Sequence, residues 1–306
     1  MEKYFKNKGS AIAISMFCMM LWGSALPVIK ATYRIMEVSS DDVGAKLLVA
    51  GIRFFIGGVM ALGYYAILNR GKPMQKPNWK YIIMLGLLQT SFQYIFYYMG
   101  LAHTLGVKAA VIQASNAFFI VIISAMVIKG DRLTVRRLVS LAIGTAGIVV
   151  ANFQAGSFSG FKMTGEGFLV LAALFSALAS VFVAKYGKGK DAFFAGGMQF
   201  FLGSLPLIIM GLALCKQWPQ VNASGVLLLL YGGFISATAF PLWSLVLRYQ
   251  SSGEFGVYRL FIPVFGALFS VLFLKERFTT EIFIGMVLVL LGSLILNLPT
   301  KKKKVS

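Results

Sequence analysis

The chain predicts an all-α membrane protein of ten transmembrane helices, arranged as two inverted five-helix repeats. Three observations lead there. Of 306 residues, 58% are hydrophobic and 13% charged, whereas about a quarter of the residues in a water-soluble domain are charged. The apolar residues gather into ten runs, most of them long enough to cross a hydrocarbon core of about 30 Å as α-helix. Finally, Asp131-Arg132-Leu133-Thr134, Gly147 and Asn152 return as Glu276-Arg277-Phe278-Thr279, Gly292 and Asn297, at a constant offset of 145. Each half holds an odd number of runs, so successive copies enter the bilayer upside down relative to each other, the architecture of secondary transporters.

The runs show no barrel-type alternation, which leaves helix as the backbone. Run one (11–29) carries Pro27 and ends at Lys30. It is too long for a signal-peptide core, and a second run follows a short acidic loop, so it reads as a retained first helix. Run two (47–68) follows Asp41-Asp42 and contains Arg53. Run three (81–102) starts after Pro73 and Pro77 and stops at His103. Run four (109–128) is more polar than its counterpart, with Gln113, Ser115 and Asn116. Run five (135–151) carries Ser140, Gly144 and Gly147, a small-residue stripe suited to close helix packing. After a Gly-, Ser- and Phe-containing segment come run six (168–184), run seven (193–215, with Pro206) and run eight (226–247, with Pro241). Run nine (255–274) holds Arg259 and Pro263, and run ten (282–298) repeats the small stripe as Gly285 and Gly292. Each in-span proline frees a carbonyl and bends its helix, which favours rocking of helix segments.

The domain division is 1–153 for the first repeat, 154–165 for the linker and 166–306 for the second repeat with its basic tail. The match extends further: an offset of 146 lays Arg53-Phe54-Phe55-Ile56-Gly57 on Gln199-Phe200-Phe201-Leu202-Gly203. Net charge is +19, which in a soluble chain would suggest nucleic acid. Here its distribution points to the bilayer instead. With the N-terminus inside, nineteen of the twenty-six loop and tail cations face the cytoplasm, the lysines at 301–304 included. A cell (plasma or inner) membrane with both termini cytoplasmic follows. No G-x-x-x-x-G-K-[S/T] phosphate loop occurs, which argues against ATP drive from this chain alone.

An ionisable group inside a span is costly and marks a functional position. Arg53 has no acid at matching depth, so its charge needs carbonyls, water or an anionic ligand. Arg259 sits nearer the cytoplasmic end, where snorkelling or an ion pair with Glu254 is the structural alternative. All ten acids lie in loops or at helix ends, which argues against a carboxylate proton relay. Amides and aromatics complete the candidate substrate-binding set: Trp22, Gln93, Tyr94, Tyr97, Gln113, Asn116, Gln199, Trp243 and Tyr258. Amides offer donors and acceptors together, suited to zwitterionic solutes; the alternative role is interhelical glue. Neither a cofactor nor a metal site is expected. Asp41-Asp42 and His103 lack the partners that an intramembrane enzyme would require.

Four motifs resemble permeases of the drug/metabolite transporter superfamily, EamA type. They are Trp22-Gly23-Ser24 followed by Lys30, Arg53-Phe54-Phe55, Leu260-Phe261-Ile262-Pro263-Val264-Phe265, and Lys275-Glu276-Arg277-Phe278-Thr279. Departures are Gly130-Asp131 where the family usually has Gly-Glu, Lys275 in place of the glycine, and Phe118 where Pro263 would be matched. The resemblance implies ten spans, with runs five and ten bracing the bundle or forming a homodimer contact. It implies a permease for small organic solutes, most directly an exporter of amino acids or related carboxylate-bearing metabolites. Uptake or exchange of phosphorylated sugars or nucleotide sugars, and lipid flipping, are the alternatives.

Overall fold

Lipid cannot hydrogen-bond to a backbone, so a chain this apolar must satisfy its N–H and C=O groups internally. The computed structural model describes residues 2–70, 76–103, 106–151, 162–274 and 279–297. Among them there is helix and no strand. A short α1 (Glu2–Lys6) leads into α2 (Lys8–Ile35), followed by α3 (Val43–Leu68). The third run is composite: α4 (Trp79–Gly86), a π-helical turn Leu87–Phe92, then α5 (Gln93–Leu101). α6 (Gly106–Val127) and α7 (Val135–Ala151) close the first half. The second half opens with a π-helical turn Met163–Gly167 and α8 (Phe168–Tyr186), then α9 (Ala192–Leu214) and α10 (Ala223–Tyr249). α11 (Ser252–Phe255), a 3₁₀ turn Gly256–Leu260, α12 (Phe261–Leu274) and α13 (Thr280–Asn297) complete the chain. Six helical segments are long and apolar enough to cross a membrane, and shorter apolar helices accompany them. This is a multi-pass membrane protein. The repeat residues Asn152 and 276–278, most of the linker and the lysines at 301–304 lie outside the described residues.

Side chains define the helix starts. Asn7, Asp42, Asn78, Asp191, Asn222 and Ser251 each accept a backbone N–H from the first turn of the helix that follows, a cap worth about 0.5–2 kcal/mol. Asp42 and Asp191, at the two ends of one helix pair, also tie distant segments. The second oxygen of Asp42 accepts from the Lys216 and Gln217 N–H groups just beyond α9, at 2.9 and 3.0 Å. At the opposite end of the same helix pair, Asp191 accepts from the Asn69 amide at 3.3 Å.

The prolines expected to bend their helices do not interrupt them. α2, α9 and α10 remain helical through Pro27, Pro206 and Pro241. The departures from α geometry fall at the two π turns and the 3₁₀ turn, none of which contains proline. A neighbouring helix can re-satisfy what a proline frees.

Two antiparallel pairs carry the closest packing. α3 lies on α9, where a Cβ added to Gly58 would stand 2.9 Å from the Gly197 carbonyl and one on Gly197 would stand 3.0 Å from the Gly58 carbonyl. α7 lies on α13, where a Cβ on Gly147 would meet the Gly285 carbonyl at 2.5 Å. There the Ser140 hydroxyl donates to the Gly292 carbonyl at 2.7 Å. α2 packs between α10 and α12, and α8 between α5 and α6.

The ends of the bundle form two faces. On the N-terminal face, Lys8 pairs with Glu254 at 2.6 Å, and the Gln250 amide donates to the Phe5 carbonyl at 2.7 Å. There Asp131 binds Arg137 at 2.6 Å, the Ser251 hydroxyl at 2.6 Å and the Gly253 N–H at 2.9 Å. On the other face, the Asn222 amide donates to the Ile35 carbonyl at 2.9 Å and the Gln220 N–H to the Met36 carbonyl at 2.8 Å.

Candidate functional site

Arg53 points from the middle of α3 into the bundle with 7% of its surface exposed. Its guanidinium carbon lies 4.4 Å from the Phe54 ring centroid and 5.9 Å from that of Tyr94 on α5. Its Nε is buried without a hydrogen-bond partner. An unsatisfied buried N–H costs about 1–3 kcal/mol, more on a charged group, and a ring face returns only about 0.5–2 kcal/mol. Gly232 on α10 gives the side chain room: a Cβ there would be 2.6 Å from Arg53 Cδ. A crevice of ≈ 10 Å³ runs beside Arg53 between Tyr33 of α2, Tyr98 of α5 and Leu229 of α10.

Arg259 is held differently. The 3₁₀ turn delivers it toward α8, where its two terminal nitrogens donate to the Ser180 and Ser176 hydroxyls, each at 3.1 Å. Its guanidinium carbon stands 5.2 Å from the Trp22 ring. The expected alternative partner, Glu254, is taken by Lys8. Neither arginine therefore meets a carboxylate among the described residues.

A ladder of rings joins the two. Phe54 stacks on Phe200 with centroids 5.4 Å apart, Phe200 meets Phe240 edge-on at 4.9 Å, and Phe240 meets Trp22 at 4.8 Å. Trp243 flanks Trp22 at 6.0 Å, and both indole N–H groups are buried without partners. Tyr94 packs against Phe54 at 4.3 Å and lies within electrostatic reach of both guanidinium groups. Tyr97 and Tyr98 extend that aromatic cluster, at 6.3 and 6.2 Å from Tyr94.

The amides go elsewhere. Gln113 donates to the Leu169 carbonyl at 3.2 Å and Asn116 to the Ala173 carbonyl at 2.8 Å, stitching α6 onto α8. Gln199 accepts from the Thr90 hydroxyl at 2.8 Å, tying α9 to the π turn. They act as interhelical bonds, although Asn116 Oδ1, Gln199 Nε2 and Gln93 Oε1 stay buried without partners. Tyr258 packs between Phe255 at 5.4 Å and Phe261 at 6.5 Å. The structure thus gathers Trp22, Arg53, Tyr94, Tyr97, Trp243 and Arg259 around one ring ladder. It leaves Gln113, Asn116 and Gln199 on helix seams. Among the described residues, no group of three or more His, Cys, Asp or Glu could hold a metal ion.

The sequence model of the EamA-like transporter family matches the chain twice, over residues 9–153 and 163–298. The chain belongs to this family. Among its relatives, the uncharacterized transporter YvbV of Bacillus subtilis (strain 168) is 26% identical, over 94% of this chain and 92% of the relative. A probable amino-acid metabolite efflux pump of Escherichia coli (strain K12) is 24% identical, over 91% of this chain and 92% of the relative. A solved structure described only as that of a protein superposes with a TM-score of 0.76 at 23% identity, covering 94% of this chain and 98% of the other. That likeness concerns the fold.

In this EamA-like transporter, sequence reading overlooked Ser176 and Ser180. They are the only hydroxyl pair at i,i+4 on the otherwise apolar face of α8, the spacing that puts two side chains on one helix face. That spacing was the available signal. Phe200 and Phe240 carry no such mark, because a ring in a ladder and a ring in a core read alike.

Proposed function

We propose that this EamA-like transporter is a secondary exporter of amino acids or related carboxylate-bearing metabolites. The observation that carries the reading is the pair of inward arginines, neither with an acidic partner among the described residues, at the two ends of an aromatic ladder. A carboxylate reaching either guanidinium would form a charge-assisted, two-pronged bond and balance a charge that is otherwise costly at that depth. The ladder would then face the rest of the solute. The name of the Escherichia coli relative supports the substrate class. With a crevice of only ≈ 10 Å³ beside Arg53, a solute arrives there when helices part, so alternating access belongs to the same reading.

The reading has ten crossings in two inverted repeats, 1–153 and 166–306 joined by 154–165, and residues related by the duplication support it. At offset 146, Phe54 stacks on Phe200, and Phe55 lies 4.9 Å from Phe201. At offset 145, exchanging the halves turns the Gly147–Gly285 contact into the Gly292–Ser140 contact, and both are made. The family model's two matches agree with that division. The N-terminal face gathers Lys3, Lys6, Lys8, Lys129 and Arg132, which supports cytoplasmic termini in a cell membrane. A homodimer through runs five and ten would use the outer, lipid-side faces of α7 and α13, since their small residues already pack on each other.

Flux of labelled amino acids from proteoliposomes tests the proposal. Wild-type protein should move at least one of a panel well above empty liposomes, and Arg53→Gln should lower flux per inserted molecule at least about tenfold, the loss of one charge-assisted bond. Unchanged flux in Arg53→Gln removes Arg53 from the site, and no flux of any panel member sinks the substrate class.

A further inference from the structure

A second cleft lies away from the ring ladder, on the basic N-terminal face. It has a volume of ≈ 260 Å³ and opens between the start of α4 and the turn that joins α8 to α9. Lys76, Lys188 and Lys190 line it, against the single carboxylate of Asp191. That carboxylate is already committed. One oxygen accepts from the Phe193 and Phe194 N–H groups, each at 2.9 Å, and the other from Asn69. Its single charge leaves the three ammonium groups in excess.

The lysines are not simply splayed into water. Lys190 is partly buried, with its nitrogen 4.7 Å from the Tyr81 ring centroid and donating to the Tyr186 carbonyl. Tyr81, 4% exposed, lines the cleft, stacks on Phe182 at 5.1 Å, and sets its buried hydroxyl beside the Arg248 guanidinium. Arg248 donates to the Lys190 carbonyl. Burial first, and the neighbouring Arg248 second, push the Lys190 ammonium below the usual lysine range. Lys190 and Arg248 are thus crowded together beside a buried phenol. A topology signal requires positive charge on this face, but it requires neither a cleft nor a lysine laid over a buried tyrosine.

We propose that this cleft binds a phosphate group carrying two negative charges. Three ammonium groups less one carboxylate leave +2 to be balanced. A phosphate brings that charge and three acceptor oxygens, whereas a carboxylate brings half the charge and two oxygens. The site is distinct from Arg53 and Arg259 and does not rest on the transport reading. Two sources carry such a group to a membrane surface: the headgroup of an anionic lipid and a soluble phosphate.

The test uses the full chain in neutral detergent and in nanodiscs. Inorganic phosphate, compared with chloride at equal ionic strength, should raise the melting temperature of wild type. Lys188→Gln/Lys190→Gln should weaken that response at least about tenfold in half-saturating concentration, as expected when a charged hydrogen bond is lost. Lys76→Gln/Lys188→Gln, which alters only exposed side chains, gives the same test without disturbing Tyr81. In nanodiscs, phosphatidic acid added to phosphatidylcholine should stabilise wild type and not these variants if the headgroup is the occupant. Stabilisation by inorganic phosphate without a phosphatidic acid effect assigns the site to soluble phosphates. The proposal is overturned if neither probe acts beyond its control, or if both double variants respond as wild type does.

Discussion

Arg53 is buried and Arg259 half-buried, and they are held by different means, so different substitutions disturb them. Arg259 relies on two neutral hydroxyls, each hydrogen bond to a charged group being worth about 1.5–3 kcal/mol. Ser176→Ala/Ser180→Ala should therefore lower thermal stability in detergent, and adding Arg259→Gln should then cost less than it does in wild type. Additive losses would mean that the serines do not hold the arginine. For Arg53, Lys should restore only part of the flux lost with Gln, because an ammonium keeps the charge and loses the fork. A third residue acts outside the membrane. Burial tends to raise the Asp131 carboxyl, but Ser251, the Gly253 N–H and Arg137 outweigh it and hold it below its ordinary value of 3.8. A lowered carboxyl pKa contributes stability that is complete above that ordinary value and is lost as pH falls toward the folded value. Melting temperature should thus drop more steeply below about pH 3.8 in wild type than in Asp131→Asn. Parallel profiles would contradict the clamp.

The helix seams tolerate little change in volume. Gly197 packs against Gly58 with no room for a Cβ, whereas Gly63 on the same α3 has nothing within 4 Å. Gly197→Leu should destabilise by at least about 1–3 kcal/mol, the usual cost of overpacking, while Gly63→Leu should melt like wild type. Equal melting of the two variants would show that the α3–α9 seam is looser than drawn. Much of this was legible in the chain. The apolar runs fall on helical segments, six of them long and apolar enough to cross a membrane, because hydropathy and length are the physics of crossing lipid. The small stripes of α7 and α13 met each other as close packing requires. The π and 3₁₀ turns at Gln89 and Arg259 were less legible, because no proline or other local pattern marks them. In the site, the arginines stood out by their charge. The fates of Gln113, Asn116 and Gln199 did not, because an amide that lines a cavity and one that stitches two helices look the same in sequence.

The whole molecule has two faces, and its orientation is open to direct test. In a background with Cys18 and Cys215 replaced by Ser, Asp41→Cys should react with a membrane-impermeant thiol reagent on intact cells, and Lys76→Cys should react only after lysis. Both native side chains are exposed, and the two lie on opposite faces. Reversed labelling would put the termini outside. The central claim remains that two arginines without an acidic partner among the described residues, set at a ring ladder, recognise the carboxylate of a transported solute. Its most direct measurement is proteoliposome flux of one transported amino acid and of its uncharged-carboxyl amide, each per inserted molecule, in wild type and in Arg53→Gln. The account predicts that wild type prefers the acid by at least about tenfold and that Arg53→Gln abolishes the preference chiefly by losing flux of the acid. Equal flux of acid and amide in wild type, or a preference that survives in both Arg53→Gln and Arg259→Gln, would contradict it.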